Sequence, residues 1–251
     1  MKELKKDKLD IKIYDTRLQM GRSAAVDVSE YIRSELKVKP ELNIIFAAAP
    51  SQNEFLEALL QQDIDWTKIN AFHMDEYIGL SEDAPQRFGN FLKESIFKKV
   101  NLKKVHYLYE EGQNSDDIGR NYTTLLKENP IDITFMGIGE NGHIAFNDPH
   151  VAKFDDKEMV KIVDLDFACR TQQVNDGCFS SIDNVPTHAL TLTVPMLMKS
   201  QRIFCIVPGI NKANAVKATI KDEITEQCPA SILRTHDNAT LYCDTNSAKY
   251  I

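Results

Sequence analysis

Short apolar runs and amphipathic stretches alternate along the chain. Several runs, such as NIIFAAA and IFCIV, are apolar almost throughout. This pattern is typical of strands that are covered on both faces of a parallel sheet, and the stretches between them show helical spacing. The predicted strands cover residues 11–14, 42–48, 68–73, 105–108, 131–137, 189–194, 202–207 and 239–243. The predicted helices lie near residues 16–36, 52–62, 86–99, 115–128 and 210–222.

The alternation of strands and helices predicts right-handed βαβ crossovers, and hence an α/β fold with a three-layer sandwich and a mostly parallel sheet. The chain has no repeat and no Pro/Gly linker, so we expect residues 1–251 to form a single domain. The alternation of strand and helix patterns stops at residues 147–187, which are largely polar. A long irregular stretch inside a domain is usually functional or disordered, and its place directly after the most unusual motif favours function.

Composition and charge narrow the class of protein. The 251 residues contain 30 Lys and Arg against 37 Asp and Glu, which gives a net charge of −7 and a pI near 5.4. This acidic balance argues against a nucleic-acid partner. No run approaches the roughly 18 apolar residues that a membrane-spanning helix needs. The charged start, MKELKKDKLD, leads into no apolar segment, so we expect neither a signal peptide nor a membrane partner.

Cysteine usage indicates a reducing compartment. The five cysteines are odd in number and include no C-x-x-C pair, so we expect a cytoplasmic protein. Cys205 and Cys243 lie in apolar runs and are predicted to be core thiols. Cys178 lies among polar residues, and we favour simple packing over a nucleophilic role for it.

The segment after the run NIIF is a candidate anion site. Ser51 and Glu54 fit an S-x-x-E capping box that opens a helix, and a helix N-terminus offers free N–H groups and the positive end of the dipole. The small residues 47–49 would let a ligand approach the backbone. A plain turn with a good cap explains the same residues, and no glycine strengthens the anion interpretation.

Two adjacent acids, Asp75 and Glu76, follow a predicted strand in the sequence FHMDEYIGL. Open α/β sheets bind ligands at this end of their strands. A partly desolvated carboxylate there can act as a general base. A helix or turn cap is an equally good interpretation.

The strongest motif is a glycine-rich loop that carries a histidine. The strand at 131–137 runs into GIGENGHIAFNDP, which contains Gly139 and His143. A dinucleotide site needs a following helix and an acid about 20 residues on. Asn147-Asp148-Pro149 would stop such a helix, so we do not expect NAD. The loop instead presents His143, and Asp148 is placed to orient it, because a carboxylate partner fixes the tautomer of an imidazole.

Lys212 lies at the start of a predicted helix, in the sequence PGINKA. A lysine in the first turn opposes the helix dipole unless it faces a bound anion. A solvated surface lysine is an equally good interpretation. The remaining histidines show no metal-ligand spacing, so we expect no catalytic metal.

Together these segments resemble the glucosamine-6-phosphate deaminase/isomerase family, within a larger group that includes 6-phosphogluconolactonases. FHMDEYIGL is close to the family pattern F-N-M-D-E-Y-x-G-L, and GIGENGHIAFNDP to G-x-G-x-D-G-H-I-A-F-N-E-P. VPTHALTLTV and GINKA extend the match in colinear order, and the lactonase patterns D-E-R and G-H-T-A-S-L-F-P are absent. The resemblance implies a Rossmann-like fold and one deaminase/isomerase-like domain.

The resemblance also implies a role for each matching residue. Asp75 matches the general base that moves a proton between C2 and C1 of the open-chain amino sugar. His143 matches the histidine that opens the pyranose ring, in a catalytic group with Asn141 and Asp148. The implied substrate- and phosphate-binding residues are Ala49, Pro50, Ser51, Gln52, Gly139 and Lys212. The implied reaction turns an amino-sugar 6-phosphate into a ketose 6-phosphate and ammonia through an enolamine, with no cofactor and no metal.

Three features depart from the family pattern. Asn141 stands where the family has Asp, so it can accept a hydrogen bond from the imidazole but supplies no charge, and Asp148 replaces a longer Glu. The turn AAAPSQ and the segment CRTQQVNDGCF also differ. The resemblance implies glucosamine 6-phosphate or its galactosamine epimer as the substrate, and we interpret these changes as a shifted sugar preference that would favour galactosamine 6-phosphate. A 6-phosphogluconolactonase-type hydrolase and a non-catalytic sugar-phosphate sensor remain alternatives, and a homo-oligomer is left open.

Overall fold

The apolar runs of the sequence form the strands of two sheets. The computed structural model describes residues 1–108 and 114–251. Within these residues the strands are β1 Lys2–Lys6, β2 Leu9–Tyr14, β3 Leu42–Phe46, β4 Ile69–His73, β5 Asp75–Tyr77, β6 Lys104–His106, β7 Ile133–Met136, β8 Val160–Asp164, β9 His188–Leu192, β10 Arg202–Val207 and β11 Ala239–Asp244.

Eight strands form the large sheet, in the order β1-β2-β11-β10-β7-β3-β4-β6. Its neighbouring pairs are parallel, except that β1 runs antiparallel to β2. The remaining strands form a small antiparallel sheet in which β9 lies between β5 and β8. Only Met74 separates β4 from β5, so the chain passes directly from the large sheet to the small one.

Helices follow most of the strands. The α-helices of the described residues are α1 Arg17–Glu35, α2 Asn53–Leu59, α3 Phe88–Leu92, α4 Ser115–Glu128, α5 Phe167–Asn175, α6 Val194–Leu197 and α7 Ala213–Lys221. A π-helix continues α3, and the 3-10 helices of the same part of the chain are Pro50–Gln52, Trp66–Lys68, Ile182–Asn184, Ile210–Lys212 and Pro229–Thr235. None of the described helices is long and apolar enough to cross a membrane.

Two hydrophobic cores lie on the two faces of the large sheet. Because successive strand residues point to opposite faces, β10 gives Ile203, Cys205 and Val207 to one core and Phe204 and Ile206 to the other. Helices α4 and α7 pack into the first core, and α1 and α2 pack into the second. The structure therefore confirms the α/β, Rossmann-like three-layer sandwich with a mostly parallel sheet. Both predicted core thiols are fully buried.

The predicted strand at 189–194 is the main correction to the sheet. It forms β9, which lies in the small antiparallel sheet and not in the parallel one. It ends at Leu192 because the side chain of Thr193 accepts a hydrogen bond from the N–H of Met196 and starts α6. Three strands, β1, β5 and β8, were not predicted. The first of these, KELKK, is a charged edge strand, and such charge protects an exposed sheet edge against association.

The stretch 147–187 is more regular than its sequence predicts. It contains β8 and α5, so the expectation of an irregular segment is wrong over these residues. Helix α5 starts where the side chain of Asp166 accepts a hydrogen bond from the N–H of Cys169. Its buried face consists of Cys169, Gln172 and Gln173. Because two of these three buried residues are polar, the helix lacks the apolar periodicity on which helix prediction depends.

Candidate functional site

One cavity lies where the carboxyl ends of β3, β7 and β10 approach the small sheet. Its volume is about 300 Å³, which is within the range of small-molecule sites. The backbone turns that follow the three parallel strands form part of its wall, and residues of β5, α1, α3 and α5, together with Met74, also line it. The lining residues with an ionisable side chain are Arg17, Asp75, His143, Asp176 and Lys212.

Asp75 opens strand β5 and lines this cavity. Strand β5 is held by β9, with Asp75 opposite Thr191. The residue is only 7% exposed, and among the described residues no donor forms a hydrogen bond with its carboxylate. Burial, and then the neighbouring charge of Glu76, raise the pKa of Asp75 well above its usual range. Such a carboxyl group can take up a proton and release it again during a reaction.

Glu76, the next residue, has a structural role. Its carboxylate accepts hydrogen bonds from the N–H groups of Tyr77, Phe88 and Gly89 at 2.9, 3.0 and 3.0 Å. It therefore fixes the start of α3 against β5. Burial raises the pKa of Glu76, although the N–H groups of Gly89 and Phe88 stabilise its anion. The sequence left two interpretations open, and each applies to one of the two acids: Glu76 caps a helix, and Asp75 faces the cavity.

His73 holds the backbone of Asp75 through a hydrogen bond. It is fully buried, and its Nε2 accepts a hydrogen bond from the N–H of Leu108 at 2.8 Å. The ring proton is therefore on Nδ1, which donates to the carbonyl oxygen of Asp75 at 3.0 Å. Burial lowers the pKa of His73 to about 4, so the ring is neutral near pH 7. His73 fixes the backbone that carries the candidate base.

His143 lines the cavity and is held by two side chains behind it. Its Nδ1 lies 2.8 Å from Oδ1 of Asn141 and 2.9 Å from Oδ1 of Asp148. Asn141 also donates from Nδ2 to Asp148 at 2.9 Å. Burial opposes ionisation of Asp148, but its hydrogen bonds from His143 and Asn141 keep its pKa below the usual range. The structure thus brings these three predicted residues together, although Asn141 and Asp148 do not themselves line the cavity.

Two glycines and one alanine shape the loop around this histidine. A Cβ on Gly139 would lie 2.2 Å from the His143 ring, so no larger residue fits there without moving the ring. Gly142 has a φ of 85°, and a Cβ there would lie 2.8 Å from Sγ of Cys228. Ala145, which lines the cavity, has a φ of 49°. A non-glycine residue in this left-handed region is strained, and such strain clusters at functional sites.

The turn after β3 lines the cavity, but it is not a helix cap. Residues 50–52 form a 3-10 helix, and α2 begins only after it, without a side-chain cap. The predicted capping box is therefore wrong. Glu54 forms an ion pair with Arg17 instead, and Oγ of Ser51 accepts a hydrogen bond from Nε2 of Gln52.

Ala49, Pro50 and Ser51 line the cavity, whereas Gln52 does not. The side chain of Gln52 is buried, and its Nε2 donates to the carbonyl oxygen of Ile206 at 3.1 Å. This bond fastens the turn to the end of β10. The side chain of Gln52 therefore holds the turn in place, and the contact of this residue with the ligand stays a prediction.

Lys212 lines the same cavity, as does Gly139, and is only 7% exposed. The turn before it is anchored by Gly209, whose N–H donates to Oδ1 of Asp244 at 3.0 Å. Burial lowers the pKa of Lys212, while the charges of Asp176 and Glu140 act in the opposite direction. Lys212 is therefore not an exposed, solvated lysine. A buried ammonium group at a cavity wall indicates a site for an anionic ligand.

Metal-ligand side chains also meet near the histidine. Atoms of His143, Asp148 and Cys169 lie within 4.8 Å of one another, and so do atoms of Asp148, His150 and Asp166. In the first group Nδ1 of the histidine is already bonded to its partners, and burial raises the pKa of the Cys169 thiol, which disfavours the thiolate that a metal requires. The expectation of chemistry without a metal stays a prediction.

Sequence reasoning missed the lining residues that come from α1 and α5. Arg17 is the first residue of α1, and no local pattern connects it with a site 30 residues later. Gln172, Gln173 and Asp176 come from the polar segment 147–187. Oε1 of Gln172 accepts a hydrogen bond from the N–H of Glu140 at 2.8 Å, so α5 also supports the histidine loop.

Comparison with known proteins adds to this geometry. The family model described as glucosamine-6-phosphate isomerases/6-phosphogluconolactonase matches residues 15–242. A glucosamine-6-phosphate deaminase of Streptococcus gordonii is 31% identical over 89% of this chain and 92% of that protein. A glucosamine-6-phosphate deaminase of Listeria innocua is 34% identical over 84% of this chain and 88% of that protein.

Solved structures share the fold of this chain. The structure of a monomeric glucosamine-6-phosphate deaminase covers 96% of this chain and 99% of that chain, with a TM-score of 0.85 and 27% identity. A 6-phosphogluconolactonase from Thermotoga maritima covers 94% of this chain and 100% of that chain, with a TM-score of 0.72 and 20% identity. At this lower identity the second likeness shows the fold alone.

Proposed function

This chain belongs to the glucosamine-6-phosphate isomerase/6-phosphogluconolactonase family, and from that premise we propose that it is an enzyme that deaminates an amino-sugar 6-phosphate. The reaction converts a 2-amino-2-deoxyhexose 6-phosphate and water into a ketose 6-phosphate and ammonia. One observation carries the proposal. A buried carboxyl group with a raised pKa, Asp75, shares a small cavity with His143, whose ring is held by Asn141 and Asp148.

His143 starts the reaction by opening the sugar ring. Ring opening requires that a proton leaves the O1 hydroxyl and that the ring oxygen O5 gains one. Because both partners of Nδ1 are oxygen acceptors, the neutral ring carries its proton there and offers the lone pair of Nε2. Nε2 takes the proton from O1 and delivers it to O5, and Asp148 stabilises the imidazolium that exists between the two transfers.

Asp75 then moves a proton from C2 to C1. Its carboxylate removes the hydrogen of C2, which lies next to the new aldehyde, and the electron pair forms the C1=C2 bond of an enolamine. The carbonyl oxygen takes a proton from water, and this proton is returned when the iminium ion is hydrolysed. Return of the proton to C1 leaves a protonated imine at C2. Water adds there, ammonia leaves, and the ketone remains. The raised pKa of Asp75 lets this carboxyl group hold the proton between the two carbon atoms.

Lys212 and the turn of Ala49, Pro50 and Ser51, which line the same cavity, bind the 6-phosphate. A phosphate beside the buried ammonium group of Lys212 would offset the desolvation that lowers its pKa. Holding the phosphate fixes C1 and C2 relative to Asp75 and His143. Such positioning contributes to catalysis because it lowers the entropic cost of reaching the transition state.

The finer parts of the proposal concern the sugar and the compartment. The substrate is glucosamine 6-phosphate, for which the similar curated proteins are named, or its C4 epimer galactosamine 6-phosphate, which is the candidate because Asn141 and Asp148 depart from the family pattern. All five cysteines are free thiols, which is consistent with the cytoplasm. Residues 1–251 act as one domain in this account.

A substrate panel tests the proposed function. The protein is incubated with glucosamine 6-phosphate, galactosamine 6-phosphate and 6-phosphogluconolactone, and ammonia, ketose 6-phosphate and lactone hydrolysis are followed in parallel. Equal amounts of ammonia and ketose from either amino sugar support deamination. Lactone hydrolysis without ammonia would identify a lactonase, and tight binding without turnover would identify a sensor. Much faster turnover of glucosamine 6-phosphate would overturn the preference for the galactosamine epimer.

A further inference from the structure

A second cation, Arg17, lines the cavity beside the turn that follows β3. Its Nη2 donates to the carbonyl oxygen of Pro50 at 3.1 Å and to Glu54 at 2.7 Å, and its Nε lies 2.6 Å from the same carboxylate. The guanidinium group therefore lies between the cavity wall and an acid outside it. Among the described lining residues, Arg17 and Lys212 are the two that belong to the Lys and Arg class.

A close helix contact explains how Arg17 reaches this position. A Cβ on Gly21 would lie 2.8 Å from the backbone of Glu54 and Phe55, so the glycine lets α1 approach the start of α2. Residues four apart lie on the same face of a helix. Arg17 is four residues before Gly21, and the contact therefore directs its side chain toward Pro50 and Glu54.

The charge of the ligand calls for a second cation. A phosphate monoester carries about −1.5 to −2 at pH 7, whereas Lys212 supplies one positive charge. The charge of Asp176, which also lines the cavity, acts on Lys212 and offsets part of it. The guanidinium group of arginine can bind phosphate through two parallel hydrogen bonds, which adds geometric specificity to the charge.

We propose that Arg17 is a second phosphate ligand, held by Glu54 in the free protein and transferred to the 6-phosphate when substrate binds. This inference rests on the proposed function, because it takes the phosphate group of the substrate as the ligand. The side chains of Arg17 and Glu54 are 44% and 24% exposed, and a partly exposed ion pair contributes little to stability. The exchange of partners is therefore energetically feasible.

Two variants of the pair test the proposal, with a control on the same helix. Arg17→Gln removes the proposed ligand, Glu54→Gln removes its resting partner, and Arg22→Gln changes an exposed arginine of α1. Binding of inorganic phosphate and the KM for the amino-sugar 6-phosphate are measured for each. We expect Arg17→Gln to weaken phosphate binding and raise KM by roughly 5- to 20-fold with little change in kcat. Glu54→Gln should bind phosphate at least as tightly as the wild type, and Arg22→Gln should match it.

A structural ion pair would give a different result. If Arg17→Gln and Glu54→Gln lower the melting temperature equally and leave phosphate binding unchanged, the proposal is wrong. Should Arg17→Gln fail to fold, Arg17→Lys keeps the charge, and phosphate binding several-fold weaker than in the wild type is then expected, whereas unchanged binding would contradict the two-bond contact. Phosphate binding needs no turnover. A wild type that releases no ammonia, but binds phosphate through Arg17, would therefore overturn the deaminase and support this site.

Discussion

The cavity residues are divided into a proposed phosphate end and a proposed reaction end, named for the part of the substrate that each would contact, and the two are built from different kinds of contact. The proposed phosphate end consists of backbone turns after β3 and β10, together with Arg17 and the buried Lys212. At the reaction end, Asp75 and His143 are held by side chains that do not line the cavity, among them His73 and Asp148. The phosphate end therefore offers charge to a ligand, whereas the reaction end offers groups whose orientation is fixed.

This difference predicts where each change appears in the kinetics. Interactions made equally with substrate and transition state lower KM, whereas interactions made only in the transition state raise kcat. Substitutions at the phosphate end should therefore act on KM, and those at the reaction end on kcat. Each variant below either confirms this division or breaks it.

Asp75→Asn should have the largest effect. The amide cannot take the proton from C2, so we expect kcat to fall by roughly 10²- to 10⁴-fold while KM changes little. Ammonia release at saturating substrate measures the change. Asp155→Asn, at an exposed acid, is the matched control and should match the wild type. Turnover near the wild-type rate in Asp75→Asn would remove this residue from the mechanism.

Gly139→Ala should act on the same end through the histidine. The added Cβ would lie 2.2 Å from the His143 ring, so the imidazole must move. A displaced catalytic group of this kind costs about 10²-fold in rate, and we expect the loss in kcat. Gly119→Ala is the control, because a Cβ there meets its nearest neighbour at 3.7 Å. An unchanged kcat in Gly139→Ala would contradict the fixed position of the ring.

Lys212→Ala should act on the other end. Loss of a charge-assisted contact with the 6-phosphate should raise KM by roughly 10- to 100-fold, with a much smaller change in kcat. Steady-state kinetics measure both constants. Lys217→Ala, at an exposed position of α7, provides the control. A fall in kcat without a change in KM would break the division between the two ends.

The smallest effect is expected in the pH profile of the reaction end. The base must be ionised, and because its pKa is raised, activity should fall at a higher pH than an ordinary aspartate would allow. Glu76→Gln removes the neighbouring negative charge. Loss of this charge favours the ionised form of Asp75, so the acidic limb of the kcat/KM profile should move to lower pH. Glu82→Gln, at an exposed acid of the following loop, should leave it unchanged. A shift to higher pH would contradict this electrostatic account.

The sequence predicted the two ends to different degrees. Strands β3, β7 and β10, whose turns line the cavity, were found because buried parallel strands are apolar in nearly every position. The grouping of Asn141, His143 and Asp148 was also predicted, since their motif is local. By contrast, β5 has only three residues, and its partner β9 lies more than a hundred residues further along the chain, so no local period reveals their sheet.

Residues that act from distant elements were harder to predict. Arg17 reaches the cavity only because α1 packs closely on the start of α2, which is a tertiary contact. Ser51 and Glu54 fitted a capping box, but the competing ion pair with Arg17 and the 3-10 helix at Pro50 prevented it. In both cases a long-range contact decided the outcome, and a pattern within one segment carries no information on it.

Binding of the product tests the division between the two ends most directly. The ketose 6-phosphate product of the better substrate, fructose 6-phosphate from glucosamine 6-phosphate or tagatose 6-phosphate from galactosamine 6-phosphate, is titrated without ammonia, so that the reverse amination cannot occur, and gives a Kd for the wild type, Asp75→Asn and Lys212→Ala. The account predicts that Asp75→Asn binds within about threefold of the wild type and that Lys212→Ala binds at least about tenfold more weakly. Equal weakening in both variants, or weakening in Asp75→Asn alone, would contradict it.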